Sequence, residues 1–181
     1  MRGYVNVAQN QRSLNKLKDV FNILLKMLKQ QPLDSISITD LCQQAGVSRT
    51  YYYKNFNSKE EIIIRELAIK GTEYLRSALR QDTNNIMLFT KYFEITKRDR
   101  QIWLILIGAN QEYLLFQQFS DVTDYLFHNQ LINPTQTNSF PYWKKMVAGA
   151  LVNVAIEWIK GGCVEEPAYM GKQLVDYLRS W

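Results

Sequence analysis

Arg49, Thr50, Tyr53 and Lys54 fall within one stretch of the 181-residue chain, and all four side chains are hydrogen-bond donors. A guanidinium offers a planar fork that fits the acceptor edge of guanine or a phosphate. Hydroxyls and an ammonium suit phosphate oxygens. At about 100° per residue these four side chains share one arc of a helix. Tyr52 lies to the inner side of that arc, where it can pack with Phe56, and Tyr51 faces elsewhere. Lys59 follows in the first turn of the next helix, beside backbone amides that lack partners, which is a position for clamping a phosphate. The competing reading for such a lysine is plain solvation. The chemistry these residues offer is recognition of a polyanion, not bond making.

Nothing else in the chain competes as a reactive centre. There is one histidine, His128, and there are two cysteines, Cys42 and Cys163. Neither their number nor their spacing fits a zinc site or a disulfide framework. Cys42 reads as a small core hydrophobe and His128 as a solvated or capping residue near a helix end. No nucleophile and base stand at a recognisable spacing, and no glycine-rich phosphate loop occurs. We expect no catalytic residues, no metal and no cofactor. Convergence of carboxylates from distant segments is the only route left to an enzyme.

The elements that position the basic arc can be read from local signals. Residues 12–30 place Leu14, Leu17, Phe21, Leu24, Leu25 and Leu28 at three- and four-residue steps, which predicts a first helix, and Pro32 ends it. Residues 1–10 show no apolar period and are expected to form a mobile arm. Ser37, with Asp40 three residues on, predicts the capped start of a second helix that turns Leu41 and Ala45 inward. Gly46 stops that helix, Val47 fills the corner, and Ser48 caps a third. Two short helices joined through a glycine make a helix-turn-helix, whose second helix enters the major groove of DNA. Ser58 and Glu61 form a further capping box at the start of a fourth helix.

Charge is distributed accordingly. The chain carries a formal +5, and residues 1–60 hold nine Lys and Arg against four acids, so the whole excess lies there and the rest is neutral. That is the footprint of a segment that meets a polyanion, against the alternative of a basic surface kept for solubility. Hydrophobic residues at 46% and aromatic residues at 13% predict a packed globular protein. No run of about 18 uncharged apolar residues occurs and the first residues lack a signal-peptide core, so a soluble, cytoplasmic protein without a membrane partner is expected.

The series Ser37, Asp40, Leu41, Cys42, Ala45, Gly46, Val47, Ser48, Arg49, Tyr53, Phe56, Ser58, Lys59 and Glu60 resembles the DNA-binding domain of the tetracycline-repressor (TetR) family of bacterial transcription regulators. The resemblance spans residues 11–65. It implies that Thr39, Arg49, Thr50, Tyr51, Tyr53, Lys54, Asn55 and Lys59 face operator DNA. It further implies a homodimer and a small-molecule effector. Two positions depart from the common pattern: Tyr51 stands where a smaller residue is usual, and Thr39 where some members carry arginine.

Beyond the reading head, residues 59–82 predict a connecting helix about 30 Å long, with Gly71 weakening its middle. Helices are expected near 84–97, 99–108, 110–132, 141–160 and 166–180, with a loop at 133–140 and no strands. The domains expected are an arm at 1–10, the helix-turn-helix at 11–58, the connecting helix at 59–82 and a ligand-binding and dimerisation domain at 83–181. The fold class is all-α. The 141–160 helix is apolar round most of its circumference: Trp143, Met146, Val147, Ala150, Leu151, Val154, Ala155 and Trp158 form one stripe, and Val152 and Ile156 lie outside it. Such a helix needs cover on two sides. Met146, Ala150, Asn153, Val154 and Trp158, with Leu174, Tyr177 and Leu178 of the last helix, are the expected dimer face. Tyr92, Phe93, Trp103, Tyr113, Phe116 and Trp143, with Phe119 and Tyr125, line a ligand cavity or else are simply core. The function expected is a repressor released from its operator by an effector; the alternative is a co-regulator that acts through protein contacts.

Overall fold

The computed structural model describes residues 2–78, 84–129, 131 and 142–180, with only the backbone described for 2–14 and 178–180. Every regular element among them is helical: α1 (Arg2–Leu28), a 3-10 turn (Leu33–Ser35), α2 (Ile38–Gln44), α3 (Arg49–Asn55), α4 (Lys59–Ala78), α5 (Asn85–Arg98), α6 (Arg100–Gly108), α7 (Glu112–His128), α8 (Trp143–Lys160) and α9 (Pro167–Ser180). The all-α expectation holds. The loop expected at 133–140 and the end of the connecting helix lie outside the described residues. Two compact units divide within α4, between Glu66 and Leu67.

In the first unit the expected arm is instead part of α1. No proline interrupts residues 2–13, and once the amphipathic segment nucleates a helix, each added residue gains a hydrogen bond at small cost. Among the described side chains of α1, Val20, Phe21, Leu24, Leu25, Met27 and Leu28 are buried. They share a core with Leu33, Ile36, Leu41, Cys42, Tyr52, Phe56, Ile62 and Ile63.

In the second unit α5 packs along α9, and α7 along α8. The α5–α9 approach rests on Gly171, where a Cβ would lie 2.5 Å from both the amide nitrogen and Oγ1 of Thr90. Buried hydroxyls are tied to backbone carbonyls: Tyr74 donates to Leu88 at 3.2 Å and Tyr92 to Leu151 at 3.4 Å. Burial pushes both phenols far above their ordinary pKa, so they stay neutral donors.

The stripe on α8 is rotated from the one expected. Val147, Ala148, Leu151, Val152, Ala155, Ile156, Trp158 and Ile159 are buried, whereas Met146, Ala150 and Val154 are exposed. Val152 and Ile156 thus belong to the unit's own core. The periodicity was ambiguous because this helix has apolar residues on more than half its turns, so several arcs fit equally well.

Candidate functional site

The reading head is built by three serine caps and one glycine. Ser37 Oγ accepts from the amide of Asp40 at 3.4 Å, Ser48 Oγ from that of Tyr51 at 3.0 Å, and Ser58 Oγ from that of Glu61 at 3.2 Å. Between α2 and α3, Gly46 sits at φ 64°, the left-handed region that glycine reaches without penalty. The amide of Val47 donates to Cys42 and that of Gly46 to Gln43, so the last carbonyls of α2 are satisfied and the chain turns sharply into α3. At α4 the reciprocal half of the cap reaches one residue further back than expected: Glu61 accepts from the backbone and side-chain amides of Asn57, at 2.7 and 2.9 Å. Those bonds, with Arg65 at 2.7 Å, hold the Glu61 carboxyl below its usual range.

Helix α3 is anchored by Tyr52, which is 1% exposed and lies 5.6 Å ring to ring from Phe56. Among the described residues the Tyr52 hydroxyl has no hydrogen-bond partner, and burial raises its pKa to about 12. With that face buried, Arg49, Thr50, Tyr53 and Lys54 all point to solvent, Tyr53 being 56% exposed and edge-on to Tyr52 at 5.3 Å. Thr39 on α2 is exposed as well. Tyr51 is half-buried with the ammonium of Lys16 from α1 5.7 Å over its ring, so it braces α3 against α1. Asn55 spends its amide group on the carbonyl of Tyr51 at 2.7 Å.

Lys59 departs from its expected role as a free phosphate clamp. Its ammonium donates to the carbonyls of Leu33, Asp34 and Ile36, at 2.5, 3.2 and 2.9 Å. An ammonium has three protons. All are used to cap the 3-10 turn, and the side chain thereby ties the start of α4 to the segment before α2. Pattern reading missed this because the three acceptors lie 23 to 26 residues away and are backbone atoms.

The second unit holds a cavity of about 70 Å³ among α4, α5, α6 and α7. Of the aromatic residues expected to line it, Tyr92, Trp103 and Phe119 do. Phe93 is sealed in the core against Tyr92 and Trp158, Tyr113 is half exposed, and Phe116 and Trp143 lie elsewhere. The polar lining came from no sequence signal: Lys70 donates to Asp99 at 3.0 Å across 29 residues, and Gly71 and Gln118 face each other. Burial pushes the Asp99 carboxyl up, but bonds from Arg98 and Lys70 outweigh it and hold the group below its ordinary value.

On α8 and α9, Met146, Ala150, Asn153, Val154 and Tyr177 of the expected dimer face are exposed and Leu174 is half-buried. Trp158, also expected on that face, is turned mostly into the unit's core. It is 5% exposed, edge-on to Phe93 at 5.3 Å, with its indole N–H donating to the carbonyl of Glu165. The side chain of Leu178 lies outside the described residues. Among the described residues no three His, Cys, Asp or Glu side chains gather as metal ligands, and no helix is long and apolar enough to cross a membrane.

Residues 83–180 match the family model of the transcriptional regulator C-terminal region of TetR type, and residues 4–89 match a family of unknown function. The chain belongs to the TetR family of transcriptional regulators. Comparison with curated proteins finds no match. Among solved structures, Lin0861 from Listeria innocua is similar at a TM-score of 0.78 and 14% identity, over 93% of this chain and 92% of that one. A TetR transcriptional regulator from Streptococcus agalactiae 2603V gives 0.64 and 12%, over 96% of each chain. The repressor AlkX from Dietzia sp., implicated in biodegradation of n-alkanes, gives 0.54 and 15%, over 90% and 97%. At such identities the likeness is one of fold.

Proposed function

We propose that the protein is a homodimeric, sequence-specific DNA-binding repressor, released from its operator by a small molecule held in the second unit. The observation that carries this reading is α3 itself. Its buried Tyr52 and glycine-turn entry leave Arg49, Thr50, Tyr53 and Lys54 together on one exposed face. Arg49 is assigned to a base edge, Tyr53 and Lys54 to phosphates, with Thr39, Thr50, Tyr51 and Asn55 at the margins of the contact. Arg49→Ala should weaken binding to the chain's own promoter by about tenfold or more, and Tyr53→Phe by less, with unchanged circular dichroism. Full affinity in both variants would place the DNA face elsewhere.

The exposed apolar side chains of α8 and α9 support the dimer: Met146 is 41% exposed, Val154 39%, Tyr169 55% and Tyr177 65%. A two-fold pair of reading heads matches a palindromic site with half-sites a whole number of turns apart. Val154→Asp buries a charge in such a contact. It should turn a dimer into a monomer in sedimentation at micromolar concentration while leaving the helix content intact. A wild-type monomer under those conditions would remove this role for α8.

The effector would act by binding one of two conformations more tightly, the only way a ligand shifts an equilibrium. One observation favours the reading as a co-regulator working through protein contacts. Lys59 and Asn55, both expected on the DNA face, donate inside the protein, Lys59 with all three protons and Asn55 with one of its two. Absence of binding to promoter DNA even at low salt would select that alternative.

A further inference from the structure

The cavity of the second unit has one charged edge, and its hydrogen bonds are unevenly used. Asp99 accepts three hydrogen bonds: Oδ1 accepts from Arg98 Nε at 3.1 Å, and Oδ2 from Lys70 at 3.0 Å and Arg98 Nη2 at 2.9 Å. Lys70 has more to spare, since its ammonium has three protons and among the described residues spends one, on Asp99. The carboxamide of Gln118, on the same wall, has no hydrogen-bond partner among the described residues. Its nitrogen lies 2.6 Å from where a Cβ on Gly71 would be, so the missing side chain at 71 is what leaves room for this amide on the cavity wall that Lys70 also lines. The unused capacity at this edge is therefore two ammonium protons of Lys70 and both ends of the Gln118 carboxamide.

The charges are arranged in the same sense. The lining holds one ammonium and one carboxylate, Lys70 and Asp99, whose side chains are only 19% and 11% exposed. Outside it, Arg98 and Glu73 meet at 3.3 Å, both 52% exposed and screened by water. A cationic ligand would compete with two cations already bound to Asp99. An anion adds to the two unspent protons of Lys70 without stripping Asp99, which keeps Arg98.

We propose that this cavity takes a small organic acid, its carboxylate bound by Lys70 Nζ and Gln118 Nε2 and its apolar body against the rings of Tyr92, Trp103 and Phe119. The proposal deepens the effector assigned above and rests on that reading for its regulatory meaning alone. At about 70 Å³ the cavity is smaller than the roughly 150 Å³ that holds benzene, so the ligand enters by moving a wall. The end of Gln118 is the part of that wall that swings at least cost, because only side-chain torsions change. Charge-assisted bonds from two donors offset the cost of withdrawing the carboxylate from water.

The test is calorimetry on the full-length protein without DNA, using benzoate and hexanoate as probes and benzyl alcohol and benzylamine as uncharged and cationic counterparts. Both acids should bind at millimolar concentration or below and more tightly than either counterpart. Lys70→Met should weaken the acids by about tenfold or more, and Gln118→Leu by about threefold. Gly71→Ala pushes the Gln118 amide aside and should weaken the acids with the fold kept, which guards against reading an unfolded Lys70 variant as a binding defect. Tighter binding of benzylamine, equal binding of benzyl alcohol, no binding by either acid, or undiminished acid binding by Lys70→Met would each overturn the proposal. Because no operator is present, failure here leaves the DNA-binding reading untouched, and acid binding without operator binding would overturn that reading alone.

Discussion

Gly171→Ala is expected to lower the stability of the second unit by about 2–3 kcal/mol, seen as a fall in the urea midpoint. The added Cβ would stand 2.5 Å from the amide nitrogen of Thr90 and 2.8 Å from its Cα, and these are backbone atoms of α5 with no torsion of their own to yield. Helix α9 would have to back away from α5 along a contact that also buries Val175 one turn on, and the loss of close packing extends beyond the one methyl. Alanine's better helix propensity returns about 1 kcal/mol, which is why the net figure stays moderate. Gly108→Ala is the control. A Cβ there meets nothing within 4 Å and the site is exposed at the end of α6, so its stability should equal the parent's or exceed it by up to about 1 kcal/mol. If Gly171→Ala matched the control, the close crossing of α5 and α9 would be wrong.

Lys59→Ala is expected to destabilise the first unit by about 2 kcal/mol, because it strips a charged donor from three carbonyls at once. Water can reach part of this site and replaces some of the bonding, so the loss is smaller than three separate charged bonds would suggest. The consequence for DNA separates two roles for this lysine. As a phosphate contact it would contribute to the salt dependence, and its removal would flatten the slope by about one unit. As a cap on the turn ahead of α2 it should leave the slope unchanged and lower affinity on every sequence, to the extent that α2 and α3 lose their setting. Affinity titrations at several salt concentrations, beside thermal unfolding, distinguish the two. A flattened slope with unchanged stability would return Lys59 to the phosphate backbone.

Much of the first unit was legible because its signals are local. Ser37, Ser48 and Ser58 each cap a helix within three residues of their own position, and Gly46 adopts its left-handed angle for a turn four residues long. The inward and outward faces of α3 follow from the helical repeat alone, so Tyr52 and Tyr53 could be assigned to opposite sides without knowledge of anything else. Where apolar residues crowd a helix, the same reasoning loses its footing. On α8 it placed Trp158 on the exposed face and Val152 outside the core, and both are reversed. Periodicity selects a face only when the polar residues mark the other one.

By itself the sequence determined the all-helical class, the helix-turn-helix with its capped ends, and the basic arc of Arg49, Thr50, Tyr53 and Lys54. These depend on residues a few positions apart, whose relative geometry the helix fixes. Tertiary structure alone decided that the Lys59 ammonium belongs to three carbonyls 23 to 26 residues away. It also set Lys70 against Asp99 across 29 residues and put Gly171 against the backbone of α5. A donor's partner and a glycine's neighbour are set by how helices cross, and the crossing results from the packing of the whole core, not from any short stretch of chain.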